Sequence, residues 1–176
     1  MSIRSHSSEV IMLSLVTGAT SAILLKKTRR VQDPLTEEIQ ALLPKMIAIM
    51  HRENGIGLAA PQIGLSHRLA VAEVEGEVFY FINPEITSLS QEKIIFEEGC
   101  LSLPGELFPI LRSEEITVRY QNEKGLPKKL RATGLLAIVI QHEVDHLEGV
   151  LIVNRHAKQI QKNLSLNAEK KYDRLA

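Results

Sequence analysis

The stretch Thr133-Gly-Leu-Leu-Ala-Ile-Val-Ile-Gln-His142-Glu-Val-Asp-His146-Leu-Glu-Gly149 decides the organisation of this 176-residue chain. Thr133 is suited to cap the start of a helix, and Gly149 is suited to end it. Between them, apolar residues recur at helical spacing and cover most of the helix circumference: Leu135, Leu136, Ile138, Val139, Ile140, Val144 and Leu147. Because a helix that is apolar on nearly every side belongs in a domain interior, the sequence predicts a central buried helix.

Polar residues on this helix form an HExxH pattern of His142, Glu143 and His146. Since residues four apart share one helical face, the two imidazoles can bind one metal ion. Glu143 is placed where its carboxylate can take a proton from water without being a ligand. Asp145 is predicted to accept the second N–H of a metal-binding imidazole. An alternative interpretation makes both histidines hydrogen-bonded core residues and both acids ion-paired, but four such residues are seldom buried together.

A catalytic metal site normally has three protein ligands and one position open for water. Metzincin proteases have a third histidine where this chain has Ile152, which excludes that class. Thermolysin-like proteases use a downstream glutamate, and Glu169 has the matching spacing to Asp173, although it lies in a basic tail without apolar periodicity. Cys100, the single cysteine, is flanked by glycine and lies close to proline. We therefore predict a Cys-His-His ligand set, with Glu169 as the alternative third ligand.

The remaining sequence contains a second helix pattern and several strand patterns. Asp33 and Pro34 are predicted to start the helix, as N-cap and first helical residue. Two hairpins are predicted, one from segments 68–74 and 78–82 and the other from segments 116–121 and 126–131. Residues 97–105 contain glycines and a proline, which favour a tight, irregular segment.

No linker or repeat divides the chain, so residues 1–176 are predicted to form a single catalytic domain of α+β class, with short antiparallel sheets around the central helix. The 21 basic and 21 acidic residues cancel, which argues against a whole-domain grip on nucleic acid or anionic lipid. The apolar run 10–16 is too short to cross a membrane. Segment 155–174 is rich in lysine and arginine.

Three separated motifs resemble those of the bacterial peptide deformylase family, in order and in spacing. They are Gly55-Ile-Gly-Leu-Ala-Ala-Pro-Gln62, Glu98-Gly-Cys-Leu-Ser102 and Gln141-His-Glu-Val-Asp-His-Leu-Glu-Gly149. The resemblance implies that Cys100, His142 and His146 bind one divalent metal ion, Fe(II) in the cell and Zn(II) or Ni(II) in purified protein. It also implies that Glu143 is the catalytic acid and base.

The same resemblance implies how substrate is held. The side chain of Gln62 and the backbone N–H of Leu101 are expected to stabilise the developing oxyanion. The remaining predicted substrate-binding residues are Gly55, Ile56, Gly57, Glu98, Leu135, Ile138 and Val139.

The function implied is that of a cytoplasmic hydrolase, which removes the formyl group from the N-terminal formyl-methionine of newly synthesised polypeptides. Basic segment 155–174 resembles that of the subgroup whose C-terminal helix contacts the ribosome. No membrane and no sequence-specific nucleic acid is expected as a partner. Two other classes remain as alternatives: a zincin-type metallopeptidase that cleaves internal peptide bonds, and a binding module with a structural zinc ion. The second is disfavoured because a structural site normally has four protein ligands.

Overall fold

The computed structural model describes residues 13–172 of the chain, and side chains for residues 13–162. In chain order its elements are α1 (Glu37–Arg52), β1 (Gly57–Ala59), a 3-10 turn (Ala60–Ile63), β2 (Leu69–Val74), β3 (Glu77–Leu89), β4 (Lys93–Cys100), β5 (Leu103–Ser113), β6 (Glu115–Gln121), β7 (Pro127–Thr133), α2 (Gly134–Leu147) and α3 (Ile152–Tyr172).

The strands form two antiparallel sheets. One has five strands in the order β1-β2-β3-β6-β7, and the other is the hairpin β4-β5. Both predicted hairpins are confirmed, as β2-β3 and β6-β7. Glu75 and Gly76 join β2 to β3 with φ of 55° and 79°, and two positive φ angles suit the twist of a two-residue hairpin turn. The α+β class with antiparallel sheets around one helix is confirmed.

Helix α2 packs against the five-stranded sheet and against β5 of the hairpin. Ile140 and Leu147 are essentially inaccessible to solvent, as the apolar pattern predicts. The predicted ends are confirmed, although the Thr133 side chain makes no capping hydrogen bond. Gly149 has a φ of 74°, and a Cβ on it would lie 2.7 Å from the backbone of Leu25, so only glycine fits there.

The predicted start of α1 at Asp33 is wrong. The helix begins at Glu37, and the Thr36 hydroxyl caps it by accepting the Ile39 N–H. Asp33 instead accepts the N–H of Leu35 within the preceding turn. Acceptor side chains stand at both positions, and the local sequence alone did not distinguish a turn from the first turn of the helix.

The prediction that residues 97–105 form an irregular segment is also wrong. These residues form the tip of the β4-β5 hairpin, with Glu98 paired to Phe108 and Gly99 paired to Leu107. The register shifts between Gly99 and Cys100, next to the turn that connects the strands. Glycine inside a strand often accompanies a local irregularity such as a bulge, so Gly99 is compatible with a strand and does not require an irregular segment.

The remaining predictions concern the two ends of the chain. The basic segment 155–174 falls mostly within α3, which packs against β5 and β4, and residues 173–176 lie outside the described residues. The apolar run 10–16 begins within residues 1–12, which also lie outside the description. Within residues 13–172, no helix has both the length and the apolar character needed to cross a bilayer.

Candidate active site

A cavity of about 610 Å³ opens where β1, the β4-β5 hairpin and α2 meet. Every predicted site residue except His146 lines this cavity: Gly55, Ile56, Gly57, Gln62, Glu98, Cys100, Leu101, Leu135, Ile138, Val139, His142 and Glu143. The three sequence motifs, far apart in the chain, therefore meet at one place.

The predicted metal ligands converge beside this cavity. One donor atom each from Cys100, His142 and His146 lies within 4.8 Å of the others. Sγ of Cys100, at the end of β4, is 3.3 Å from Nε2 of His146 on α2. The alternative ligand Glu169 has its side chain outside the described residues, so its role stays a prediction.

The chemistry of these donors fits a divalent transition metal. One thiolate and two imidazoles suit zinc, iron or nickel, and three protein donors leave a coordination position for water. Among the described residues, two buried side-chain polar atoms have no hydrogen-bond partner: Oε2 of Glu143 and Nδ1 of His146. Because buried polar atoms are rarely left unpaired, they identify this cluster as a place where further polar groups bind.

Glu143 reaches across the cavity to β1. A Cβ on Gly57 would lie 2.2 Å from its Oε1, so the close approach requires glycine. Burial raises the pKa of the Glu143 carboxyl to about 7. This carboxylate can therefore both accept and return a proton near neutral pH.

A second buried carboxylate, that of Glu98, has the opposite environment. It accepts two hydrogen bonds from Arg112, at 2.6 and 2.8 Å, and one from Nδ1 of His142 at 2.8 Å. Burial alone would raise the pKa of Glu98, but Arg112 and His142 lower it to about 2. Glu98 therefore holds the His142 ring in the orientation that turns Nε2 toward Cys100 and the cavity.

The prediction that Asp145 accepts an imidazole N–H is wrong, because Glu98 occupies that role for His142. Asp145 instead accepts from Nη1 of Arg112 at 2.6 Å and is bonded through both oxygens to Arg155 of α3. Asp145 directly precedes His146, and adjacent helical residues do not face each other. Arg112 and Arg155 engage the Asp145 carboxylate instead.

The two histidines differ in their electrostatics. Burial alone would lower the pKa of His142, but hydrogen bonds with Cys100 and Glu98 raise it to about 10. Burial, together with the nearby charge of His142, lowers the pKa of His146 well below its ordinary value. A bound cation would favour the neutral form of both rings, since a metal ligand must offer a lone pair.

Gln62 is buried with its amide held in one orientation. Its Oε1 accepts the Ala59 N–H at 2.8 Å, while Nε2 lies 3.3 Å from Oγ of Ser102 and 3.8 Å from Sγ of Cys100. The carbonyl therefore faces the backbone, and the NH₂ group faces the cysteine. This orientation places the NH₂ group, which donates to Ser102 and Cys100, beside the cavity where the oxyanion prediction requires a donor.

Sequence reasoning missed several residues of this site, of which four matter most here. Arg112 and Arg155 support the buried carboxylates, and Phe96 and Leu107 line the cavity on the hairpin side. The signal for Arg112 was strand alternation, since it lies on the same side of β5 as Phe108 and buried Ile110. That signal went unused because the hairpin itself was not predicted.

Comparison with known proteins agrees with the motifs. A family model described as polypeptide deformylase matches residues 13–162. A curated peptide deformylase from Picosynechococcus sp. is 43% identical over 78% of this chain and 76% of its own length. One from Dictyoglomus thermophilum is 45% identical over 84% of this chain and 95% of its own length. The crystal structure of a Thermotoga maritima peptide deformylase matches 82% of this chain and 97% of its own, with a TM-score of 0.79 and 39% identity. A Met-Ala-Ser-bound deformylase from Acinetobacter baumannii matches 81% of this chain and 97% of its own, with a TM-score of 0.78 and 32% identity. Motifs, fold and relatives agree, and the chain belongs to the peptide deformylase family.

Proposed function

We propose that this protein is a metal-dependent peptide deformylase, which hydrolyses the N-formyl group from the formyl-methionine that begins new polypeptides. Residues 1–176 act as one catalytic domain, in the cytoplasm. The observation that carries the proposal is a carboxylate oxygen of Glu143 that has no hydrogen-bond partner among the described residues. It is buried in a cavity beside three convergent metal donors.

Cys100, His142 and His146 would hold the ion, Fe(II) in the cell and Zn(II) or Ni(II) after purification. A divalent ion held there supplies two kinds of chemistry, a lower pKa for water and polarisation of a carbonyl oxygen. The three donors come from α2, which is largely buried, and from Cys100, the buried last residue of the mostly exposed strand β4.

Glu143 is the proton-transfer group of the proposed reaction. Its carboxylate accepts a proton from the attacking water and then gives a proton to the departing amine nitrogen, so that the formyl group leaves as formate. A pKa of about 7 suits both steps, because the group is neither too weak a base nor too weak an acid at neutral pH. The contact with Gly57 fixes the position of the carboxylate.

Negative charge develops on the formyl oxygen as water adds to the carbon. Two donors are proposed to stabilise it, the Nε2 amide of Gln62 and the backbone N–H of Leu101. Gln62 is already oriented by Ala59 and needs little rearrangement to donate. Donors that are fixed before the reaction stabilise the transition state most effectively.

The methionine side chain would enter the apolar part of the cavity. Its walls are proposed to be Gly55, Ile56, Gly57, Leu135, Ile138, Val139 and the aliphatic part of Glu98. The Acinetobacter baumannii relative was crystallised with Met-Ala-Ser, the peptide that deformylation of formyl-Met-Ala-Ser leaves. That ligand supports a cavity that accepts an N-terminal methionine.

Nascent chains emerge at the ribosome, and the basic segment 155–174 is the proposed contact with it. The charges available for this contact lie on exposed residues of α3 such as Lys158 and Lys162. Arg155 is engaged with Asp145 and is not part of the proposed contact.

The deciding experiment is an assay of formyl-Met-Ala-Ser hydrolysis with anaerobically purified protein of measured metal content. We expect stoichiometric formate and Met-Ala-Ser, and no hydrolysis of acetyl-Met-Ala-Ser, whose extra methyl group crowds the reacting carbon. Failure to release formate by protein with one bound Fe(II) would contradict the proposal.

The metallopeptidase alternative makes a different prediction about the third ligand. We expect Cys100→Ala to lose metal and Glu169→Ala to retain it. The opposite pattern, together with cleavage of internal peptide bonds, would support the alternative.

A further inference from the structure

An unbroken series of ionic contacts joins helix α3 to the metal-ligating histidine. Arg155 is bonded to both oxygens of Asp145, and Asp145 accepts from Nη1 of Arg112 at 2.6 Å. The same guanidinium donates to both oxygens of Glu98, at 2.6 and 2.8 Å. Glu98 in turn accepts from Nδ1 of His142 at 2.8 Å.

When His142 is neutral, as a metal ligand must be, the charges in this series balance only when Arg155 is included. The side chains of Glu98, Arg112 and Asp145 are 3%, 2% and 10% exposed, whereas that of Arg155 is 34% exposed. Two buried carboxylates with Arg112 alone would leave one negative charge unpaired. A buried charge without a partner is costly, so Arg112 would be drawn toward Asp145 and away from Glu98.

We propose that Arg155 is a positioning residue for the metal site. By satisfying Asp145, it lets Arg112 hold Glu98 with both nitrogens, and Glu98 then fixes the His142 ring. The inference rests on the metal site proposed above. It assigns to α3 a role in metal retention that is separate from any contact made by its exposed face.

Several contacts dock α3, among them buried Ile152 and the contact of His156 with Pro109. One further docking contact, made by Gln159, provides the matched comparison. Gln159 pairs with the backbone of Leu111 through two hydrogen bonds of 3.0 Å, and so attaches α3 to the edge of β5. Gln159→Ala removes this attachment without touching Asp145. Arg155→Ala removes the ionic contact and leaves the Gln159 attachment in place.

The experiment uses the full chain loaded with Co(II), whose visible spectrum reports the thiolate and imidazole ligands. The rate of Co(II) release to a chromogenic chelator is measured alongside the spectrum and the thermal unfolding temperature. For Arg155→Ala we expect an altered spectrum and Co(II) release about tenfold faster than from the parent. Loss of a residue that supports a metal ligand typically costs about 10- to 100-fold in affinity, and Arg155 acts on His142 only through other residues. In the deformylation assay kcat should fall while KM stays close to that of the parent.

Two variants act as controls. Gln159→Ala should unfold at a lower temperature but keep the parental spectrum and release rate. Lys158→Ala removes one positive charge from an exposed position of the same helix. It should leave the unfolding temperature, the spectrum and the release rate unchanged. Arg155→Lys keeps the charge without the two-nitrogen geometry, so it should restore part of the lost retention.

A folded Arg155→Ala protein with parental spectrum and release rate would overturn the inference, as would equal acceleration by Gln159→Ala. If Arg155→Ala does not fold, Arg155→Gln decides by the same criteria, because its amide retains part of the packing. A parent protein that binds no Co(II) would contradict the proposed metal site as well, whereas unchanged variants of a Co(II)-binding parent would contradict this inference alone.

Discussion

Helix α2 and strand β4 each bring one buried glutamate to the same cavity, and the surroundings of the two glutamates shift their pKa values in opposite directions. Glu98 on β4 accepts three hydrogen bonds, and its pKa is lowered to about 2 because Arg112 and His142 outweigh burial. Glu143 on α2 has one oxygen without a partner among the described residues, and burial raises its pKa to about 7.

This contrast distinguishes a carboxylate that supports a metal ligand from one that takes part in the reaction. A carboxylate that stays ionised at every working pH can orient a histidine but cannot transfer a proton. A carboxylate whose pKa lies near neutrality can do so, at the cost of being held in an unfavourable environment. The residue type is the same, and the surrounding strand and helix decide its role.

The largest expected effect is on Glu143. Glu143→Gln keeps the shape of the side chain but removes the proton acceptor, so turnover should fall about 10²- to 10⁴-fold. Metal content should remain that of the parent, because Glu143 is not among the convergent donors. Activity on formyl-Met-Ala-Ser and bound metal are measured on the same sample. Turnover within a few-fold of the parent would remove Glu143 from the mechanism.

Gly57→Ala tests whether the position of Glu143 matters as much as its charge. The added Cβ would lie 2.2 Å from Oε1 of Glu143 and 3.0 Å from Cγ1 of Val139, so the carboxylate must move by about 1 Å. A displacement of this size can reduce turnover about 10²-fold. Gly57 lies outside the set of glycines with positive φ, so alanine introduces no backbone strain there. Parental activity with an unchanged unfolding temperature would show that the contact is not restrictive.

Glu98→Gln reverses the other half of the comparison. It leaves the buried guanidinium of Arg112 with Asp145 as its only carboxylate partner among the described residues, and it weakens the support of His142. We expect metal affinity to fall about 10- to 100-fold. Glu97→Gln is the matched control, because Glu97 is exposed on the opposite side of β4. Equal affinities of the two variants would show that Glu98 does not support the metal site.

The sequence predicted helix α2 well because all of its information is local. Apolar periodicity, Thr133 and Gly149 lie within 17 consecutive residues, and the HExxH spacing places its side chains on one face. Cys100 could be named as the third ligand because it is the only cysteine. Here residue type and spacing together were sufficient.

The β4-β5 hairpin was missed because its information is not local. Gly99 and Pro104 resemble turn residues, and a strand is recognised only once its partner is known. Without the strand, the same-side placement of Arg112 and Ile110 could not be seen, and Asp145 was assigned the role of Glu98. Arg155 was interpreted as part of a basic tail for the same reason, since its partner lies on another helix.

The smallest expected effect concerns the stability of metal-free protein. The pKa of Glu143 is raised from 4.5 to about 7 by burial, so between these values the unfolded chain is ionised while the folded chain still holds its proton. The unfolded state then binds fewer protons, and the folded state loses stability as pH rises through this window and stays at the lower level above it. Glu143→Gln cannot lose a proton and escapes this loss. Relative to the parent, the variant should gain about 3 kcal/mol between pH 4.5 and pH 8. Well below pH 4.5 the difference in stability between the two proteins should not depend on pH. Denaturant unfolding of chelator-treated parent and variant across this range measures the difference. All other ionisable groups are common to both proteins, so the comparison isolates Glu143. A difference that does not change with pH would show that Glu143 ionises normally in the folded state, and the contrast with Glu98 would then lie in their contacts alone.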